Sequence, residues 1–308
     1  MELPALHEFA TPFSASKSDI DRLEISVRSA CGKMCDYCPQ DSYIKSYKFN
    51  YAGDPKQLTL ETAKACVLNI PITTQLRWTG FTEPFDCNDF PDIVSLFADH
   101  GYKQIISTTL LGPKKSQEFF LENLMIFKEG ITLHLPDDEG LMKGRFDEQY
   151  AQYVASVLER LVSVGVPYEV FLIGEKLHRS ISYVVAVHGK EVVQAKYLNT
   201  RVGAINAKNF NLKVSETIRD PSAKYYCGYR RLNQGVMLPN GNVALCCQDY
   251  GLEHVLGSLL ETPLPELYTS IQRNQKTKIA FETGAFSPCN RCEHYRPMTE
   301  AQTNGRSD

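Results

Sequence analysis

Residues 22–38 read RLEISVRSACGKMCDYC, an alternating run from Arg22 to Arg28 that passes directly into Cys31, Cys35 and Cys38. The alternation predicts a β-strand over Arg22–Arg28, which places the three cysteines in the loop that follows it. Strand patterns recur downstream at Gln75–Gly80, Gln104–Leu111, Ile131–Leu135, Tyr168–Ile173 and Val192–Leu198. Helical patterns separate them, at Leu60–Ile70 with Thr59 as cap, Asp89–His100, Lys115–Leu124 and Lys176–Val187. The clearest helix carries Phe146, Tyr150, Tyr153, Val154, Val157, Leu158, Leu161 and Val162 at three- and four-residue steps, one apolar face. Alternating strands and helices predict an α/β fold with a parallel sheet. Adjacent right-handed units close toward a partial (β/α)6 TIM-like barrel. The cysteine loop then lies at its C-terminal mouth, where active sites sit.

The period breaks after the sixth strand. Val236–Pro239, Asn240-Gly241 and Val243–Cys246 give a hairpin signal, and Asn-Gly favours a type I′ turn. A helix over Leu264–Ile279 and the sequence CNRC at 289–292 follow. The predicted organisation is an N-terminal arm (1–20), the barrel (21–215), a small hairpin-plus-helix domain (216–295) and a frayed tail (296–308). The 308 residues carry 33 Lys plus Arg against 36 Asp plus Glu, a formal charge of −3. That balance argues against general nucleic-acid binding. No apolar run approaches the ~18 residues of a membrane span, and no signal peptide is read at the start, so the expected location is cytoplasmic.

Ten cysteines need an explanation. A long chain read without an export signal is a poor candidate for a disulfide framework, and grouped thiols in a reducing compartment point to metal. Cys31-x3-Cys35-x2-Cys38 offers three thiolates within eight residues. Around a four-iron cubane each would bind a different iron, leaving the fourth iron open to a small molecule. Catalytic metal sites keep such an open position and structural ones close it. Structural zinc and a chance cluster of core cysteines are the alternatives, the latter disfavoured by the interleaved Lys33 and Asp36. Cys227, Cys246, Cys289 and Cys292 form a second set of four. Four thiolates suit either zinc or a closed cluster that holds electrons. Only one of the adjacent Cys246 and Cys247 can face it if both lie on a strand. Cys66 and Cys87 read as structural.

Cys31, Cys35 and Cys38, with Tyr37 before the last, resemble the Cys-x3-Cys-x-aromatic-Cys signature of the radical S-adenosylmethionine superfamily. The resemblance implies a [4Fe-4S] cluster whose open iron chelates S-adenosylmethionine, giving a 5′-deoxyadenosyl radical that removes hydrogen from a substrate carbon. It implies further cofactor contacts. Gly80-Phe81-Thr82-Glu83-Pro84 resembles the family's Gly-Gly-Glu-Pro segment, with Phe81 and Thr82 departing from it. Thr109 ends the third strand. His134 stands where a serine commonly touches the ribose, and Arg145 and Arg201 resemble family arginines that meet the cofactor. Histidine bonded to backbone and arginines in surface ion pairs are the plainer readings. Tyr43, Tyr47 and Tyr51 read as a packed cover over the cysteine loop, and Asp137-Asp138-Glu139 as acids preceding a helix. Gly241-x4-Cys246 with Cys227 and Cys289-x2-Cys292 resembles the SPASM extension in its shortened twitch form, implying one auxiliary [4Fe-4S] cluster.

The resemblance to the small twitch enzymes implies hydrogen abstraction from a small polar metabolite (a sugar, aminocyclitol or nucleoside), with oxidation the favoured outcome and a flavodoxin or ferredoxin as electron donor. Radical modification of a ribosomally made peptide, by epimerisation or by a thioether or carbon–carbon crosslink, is the alternative. A non-enzymatic zinc scaffold is the third reading.

Overall fold

A computed structural model describes residues 21–195, 201, 205, 225–227, 234–273, 289, 292 and 294–297. Six strands succeed one another in the first part of the chain: β1 (Arg22–Ile25), β2 (Gln75–Trp78), β3 (Gln104–Thr108), β4 (Ile131–His134), β5 (Tyr168–Leu172) and β6 (Val192–Gln194). Each pairs with the next in parallel. The intervening helices are α1 (Gln40–Asn50), α2 (Leu60–Val67), α3 (Phe90–Asp99), α4 (Lys114–Glu122), α5 (Glu148–Val164) and α6 (Arg179–Val187). The βα alternation is therefore present from β1 to β6, the first five strands one to three residues shorter than their patterns suggested, while residues 196–198 of the sixth pattern lie outside the described residues.

Local sequence explains the boundaries. Thr59 accepts the backbone N–H of Thr62 and caps α2, satisfying an orphan donor of the first turn. Asp147 does the same for α5 through Tyr150 N–H, and Gly165 ends that helix with a φ of 69°, a left-handed cap that costs glycine little. The predicted stripe of α5 buries Tyr150, Val154, Val157, Leu158 and Leu161. Val162 does not join it and is 61% exposed.

Leu23 and Ile25 on β1 and Val27 just after it are wholly buried, each worth about 1.5–3 kcal/mol by removal from water. They join a core with Trp78, Phe90 and Phe97. Trp78 donates its indole N–H to Gln104 Oε1 at 2.7 Å, which satisfies the one polar atom of that side chain inside the core.

The C-terminal segment supplies β7 (Tyr225–Cys227), β8 (Gln234–Met237), β9 (Asn242–Ala244), β10 (Val255–Ser258), α7 (Leu264–Arg273, the described part of the predicted helix) and β11 (Tyr295–Pro297). β8 pairs in parallel with β1, placing Ile25 beside Met237. The antiparallel β8–β9–β10 meander thereby extends the barrel sheet into nine strands, ordered β10-β9-β8-β1-β2-β3-β4-β5-β6. β7 and β11 form a separate antiparallel pair, so Arg296 belongs to a strand rather than to the start of a tail. The arm (1–20), the predicted boundary near 215 and residues 298–308 lie outside the described residues.

The β8–β9 turn departs from expectation. Gly241 N–H donates to Leu238 O at 3.0 Å, and of Asn240 and Gly241 only the glycine takes a positive φ, 82°. A type I′ turn needs positive φ at both central residues. Pro239 prevents it here by fixing φ near −65°, which suits the second position of a type I turn.

Candidate active site

Cys31, Cys35, Cys38 and Tyr37 line one wall of a cavity of about 400 Å³ at the C-terminal mouth of the barrel. Its other walls come from the ends of β2 to β5: Gly80, Thr82 and Glu83, then Thr109, then His134 and Phe171. Arg201 and Tyr250 also line it. Of the proposed cofactor contacts, Tyr37, Gly80, Thr82, Glu83, Thr109, His134 and Arg201 are thus brought together. Arg145 is not. Its side chain is 88% exposed and is held by Asp147 at 2.7 Å in the turn before α5, which corrects its assignment to this site.

The cysteine loop is tied at several points. Gly32 N–H donates to Asp86 Oδ2 at 3.2 Å, and the Lys33 ammonium reaches Asp86 Oδ1 at 2.7 Å. Asp36 N–H donates to Leu141 O at 2.9 Å. Gln40, 2% exposed, does most. Its Oε1 accepts Cys31 N–H at 3.0 Å, while its Nε2 donates both to Phe81 O and to Cys38 Sγ, the latter at 3.3 Å. One amide thus joins both ends of the cysteine loop to the segment after β2, using two donors and one acceptor. Met34, inside the loop, and Arg201, across the cavity, both adopt positive φ (49° and 51°), a strained conformation that concentrates at functional sites.

Gly80 sets the opposite wall. Its φ is 52°, and a Cβ there would stand 2.9 Å from the Cα, Cβ and N atoms of Ser26 on the neighbouring chain segment. Glu83 follows and is buried. Its carboxylate accepts the Thr108 hydroxyl, Thr109 N–H and Thr109 hydroxyl, the last two at 2.8 Å. Burial raises the Glu83 pKa, opposed by those donors and by Lys33. Thr82 Oγ1 lies 3.3 Å from Ser26 Oγ.

His134 packs between Tyr37, tilted to it, and Phe171, edge-on to it, with ring centroids 5.5 and 5.2 Å away. Burial lowers its pKa to about 4, so the ring is neutral at pH 7. Its Nε2 is buried without a hydrogen-bond partner, which leaves a polar atom for a ligand in the cavity. Below His134, Ser107, Thr132 and Glu169 stand at one level on β3, β4 and β5. Arg77 Nη2 donates to Ser107 at 3.0 Å and Thr132 to Glu169 at 2.8 Å. These four give the cavity a polar floor, with Arg77 Nε buried and unpartnered.

The donor chemistry fits a cluster. Among the described residues no three His, Cys, Asp or Glu side chains are gathered as a single metal ion requires. A cubane does not ask for that, since each thiolate binds its own iron around a larger body. Burial pushes the Cys31 thiol up to about 12 and raises that of Cys35, so both enter such a site by releasing protons to the medium.

Cys246, Cys289 and Cys292 are partly exposed. The β7–β11 pairing sets the Cys227 backbone opposite Tyr295, just after Cys292. Cys246 and Cys247 lie beyond the end of β9, so strand alternation does not choose between them. Cys247 is buried in an apolar cluster with Tyr43, Phe81 and Tyr250, and Cys246 packs against the same cluster, partly exposed. Cys66 is buried in the core, and Cys87 donates to Leu58 O at 3.3 Å. Asp137 spends its carboxylate on Leu141 and Met142 N–H, both at 2.7 Å. Tyr43 and Tyr47 are buried in one apolar cluster, with Tyr51 and Cys38 packed against it. Gln40, Asp86, Arg77 and Tyr250 were not foreseen. Their roles arise from partners distant in sequence, and only the closeness of Gln40 to Cys38 gave a hint.

Residues 227–293 match the family model of the SPASM domain, an iron–sulfur cluster-binding domain. The match spans 67 of the 308 residues. No curated protein matches the chain in sequence. Among solved structures it is similar in overall shape to BtrN in complex with AdoMet and 2-DOIA (14% identity, TM-score 0.49, covering 90% of this chain and 92% of that one). It is also similar to SuiB of Streptococcus suis (13%, 0.46, 88% and 70%) and to anSMEcpe with bound AdoMet (14%, 0.47, 88% and 86%). No described helix is long and apolar enough to cross a membrane.

Proposed function

We propose that this chain is a radical S-adenosylmethionine enzyme that abstracts hydrogen from a carbon of a small polar metabolite, such as a sugar, aminocyclitol or nucleoside, with oxidation as the outcome. The observation that carries the proposal is the shared cavity: Cys31, Cys35 and Cys38 face it with Glu83, Thr109 and His134 at the mouth of a parallel barrel. Bound there, a [4Fe-4S] cluster with S-adenosylmethionine on its open iron would supply the hydrogen-abstracting 5′-deoxyadenosyl radical. The protein's work is positioning and exclusion of water. The three cysteines would hold the cluster, and the Gly80–Glu83 segment and Thr109 would orient the methionine end of the cofactor. His134 presents a neutral ring and an open Nε2. Cys227, Cys246, Cys289 and Cys292 would hold one auxiliary [4Fe-4S] cluster, in keeping with the SPASM match. A flavodoxin or ferredoxin would supply electrons. The floor of Arg77, Ser107, Thr132 and Glu169 favours a substrate rich in hydroxyl and charged groups.

The test is anaerobic purification followed by incubation with reductant and S-adenosylmethionine. The reading expects brown protein with about eight irons for two cubanes and release of 5′-deoxyadenosine. Deuterated sugars, aminocyclitols and nucleosides then show which donates its label. Label transferred only from a peptide selects peptide modification instead. Stoichiometric zinc without iron defeats both.

A further inference from the structure

Cys38 differs from its two partner cysteines in the side chains around its sulfur. Gln40 Nε2 stands 3.3 Å from it, and Tyr250 Oη stands 3.6 Å from it. In the free thiol the Cys38 S–H points at the phenol oxygen. A thiolate bound to iron has no proton, and the phenol O–H then becomes the donor. Gln40 cannot turn away, because the same amide is fixed by Cys31 N–H and Phe81 O. Tyr250 is equally constrained. Its ring packs against Phe81 at 4.7 Å and Tyr43 at 6.4 Å, edge-on to both, with the Arg201 guanidinium 5.9 Å above it.

On the reading of Cys38 as a cluster ligand, we infer that Gln40 and Tyr250 are positioning residues that set the reduction potential of the barrel cluster by donating hydrogen bonds to the Cys38 sulfur. Such bonds stabilise the reduced, more negative cluster and raise its potential. The two donors have different origins. Gln40 belongs to α1 beside the loop, whereas Tyr250 belongs to the segment matched by the SPASM model. The C-terminal domain thereby acts directly on the cluster at the barrel mouth, in addition to any cluster of its own. A barrel cluster with its C-terminal segment displaced would lose one donor and become harder to reduce.

The experiment is a redox titration of the full-length, reconstituted protein followed by electron paramagnetic resonance. The signal that changes on adding S-adenosylmethionine marks the barrel cluster. Tyr250→Phe keeps the ring and removes only the hydroxyl. Its expected effect is about a tenfold shift of the reduction equilibrium toward the oxidised form, or 59 mV for one electron, at unchanged iron content. Tyr47→Phe is the control. It lies in the same aromatic cluster, but its hydroxyl donates to Pro55 O at 2.6 Å, and its potential should match wild type. An unmoved potential in Tyr250→Phe, or an equal shift in both variants, overturns the inference and leaves the proposed function standing. Wild-type protein that takes up no iron overturns both.

Discussion

Replacing Gly80 by alanine tests the wall opposite the cysteines. The added Cβ would sit 2.9 Å from three atoms of Ser26, two of them backbone, so no flexible side-chain end can yield. Holding alanine at a φ of 52° costs about 1–2 kcal/mol. Forcing a methyl into packed structure adds about 1–3 kcal/mol, giving a total of roughly 2–5 kcal/mol. At about 2–4 °C per kcal/mol for a large domain, the thermal midpoint should fall by about 4–20 °C. Gly53→Ala is the comparison, since a Cβ there meets nothing within 4 Å and its φ is not positive. It should be neutral or slightly stabilising. The assay is thermal unfolding of both variants by circular dichroism, with 5′-deoxyadenosine release measured in parallel. The Gly80 variant should also lose turnover, because any relief of the clash moves Phe81 and Glu83 relative to the cysteine loop. Two variants with the same midpoint would refute the close approach of Gly80 to Ser26.

Three further outcomes are expected. Asp86→Ala removes the acceptor of Gly32 N–H and leaves Lys33 without its partner at a pair whose side chains are 14% and 10% exposed. Losing one partner of a buried pair costs about 3–5 kcal/mol. The double variant with Lys33→Met should recover part of that in urea unfolding, and full additivity would show that the pair is not coupled. His134 is neutral in the folded protein down to about pH 4, against an ordinary value of 6.5. Between those values the unfolded chain binds the extra proton, so stability falls as the pH drops across that window, by about 3 kcal/mol at 1.36 kcal/mol per unit. His134→Phe should lack this component. The difference between the two urea–pH curves isolates it from the opposite contribution of Glu83, and parallel curves would contradict the burial of the ring. Cys31→Ala should halve the iron content after reconstitution, measured by ferrozine assay, while leaving the auxiliary cluster's absorbance in place.

Much of the fold was legible because its cause is local. Strand alternation and the stripe of α5 record which face each segment buries, and Thr59 declares the start of α2 by its own chemistry. The grouping of Cys31, Cys35 and Cys38 was legible for the same reason: one short loop carries all three to the cavity. α1 gave little helical signal, because its buried residues are Gln40, Tyr43 and Tyr47 and its apolar stripe is narrow. What the sequence hid was contact between distant segments. Nothing near Tyr250 announces that its hydroxyl meets a sulfur at residue 38, and nothing near Asp86 announces Gly32. Arg145 failed as a site residue because closeness in sequence to a barrel strand does not decide on which side of a turn a long side chain falls. The Asn-Gly dipeptide misled over turn type because the proline before it had already chosen the backbone.

The pairing of β8 with β1 also bears on how the chain comes to be assembled. β1, the first of the described strands, has Met237 as the neighbour of its Ile25, and translation proceeds at only about 5–20 residues per second. One long edge of β1 therefore waits, unsatisfied, while the rest of the barrel emerges, and an open edge is a template for pairing with another chain. The wait ends only when the β8–β9 hairpin arrives, so a chain cut before Gln234 would keep that edge open and lose solubility.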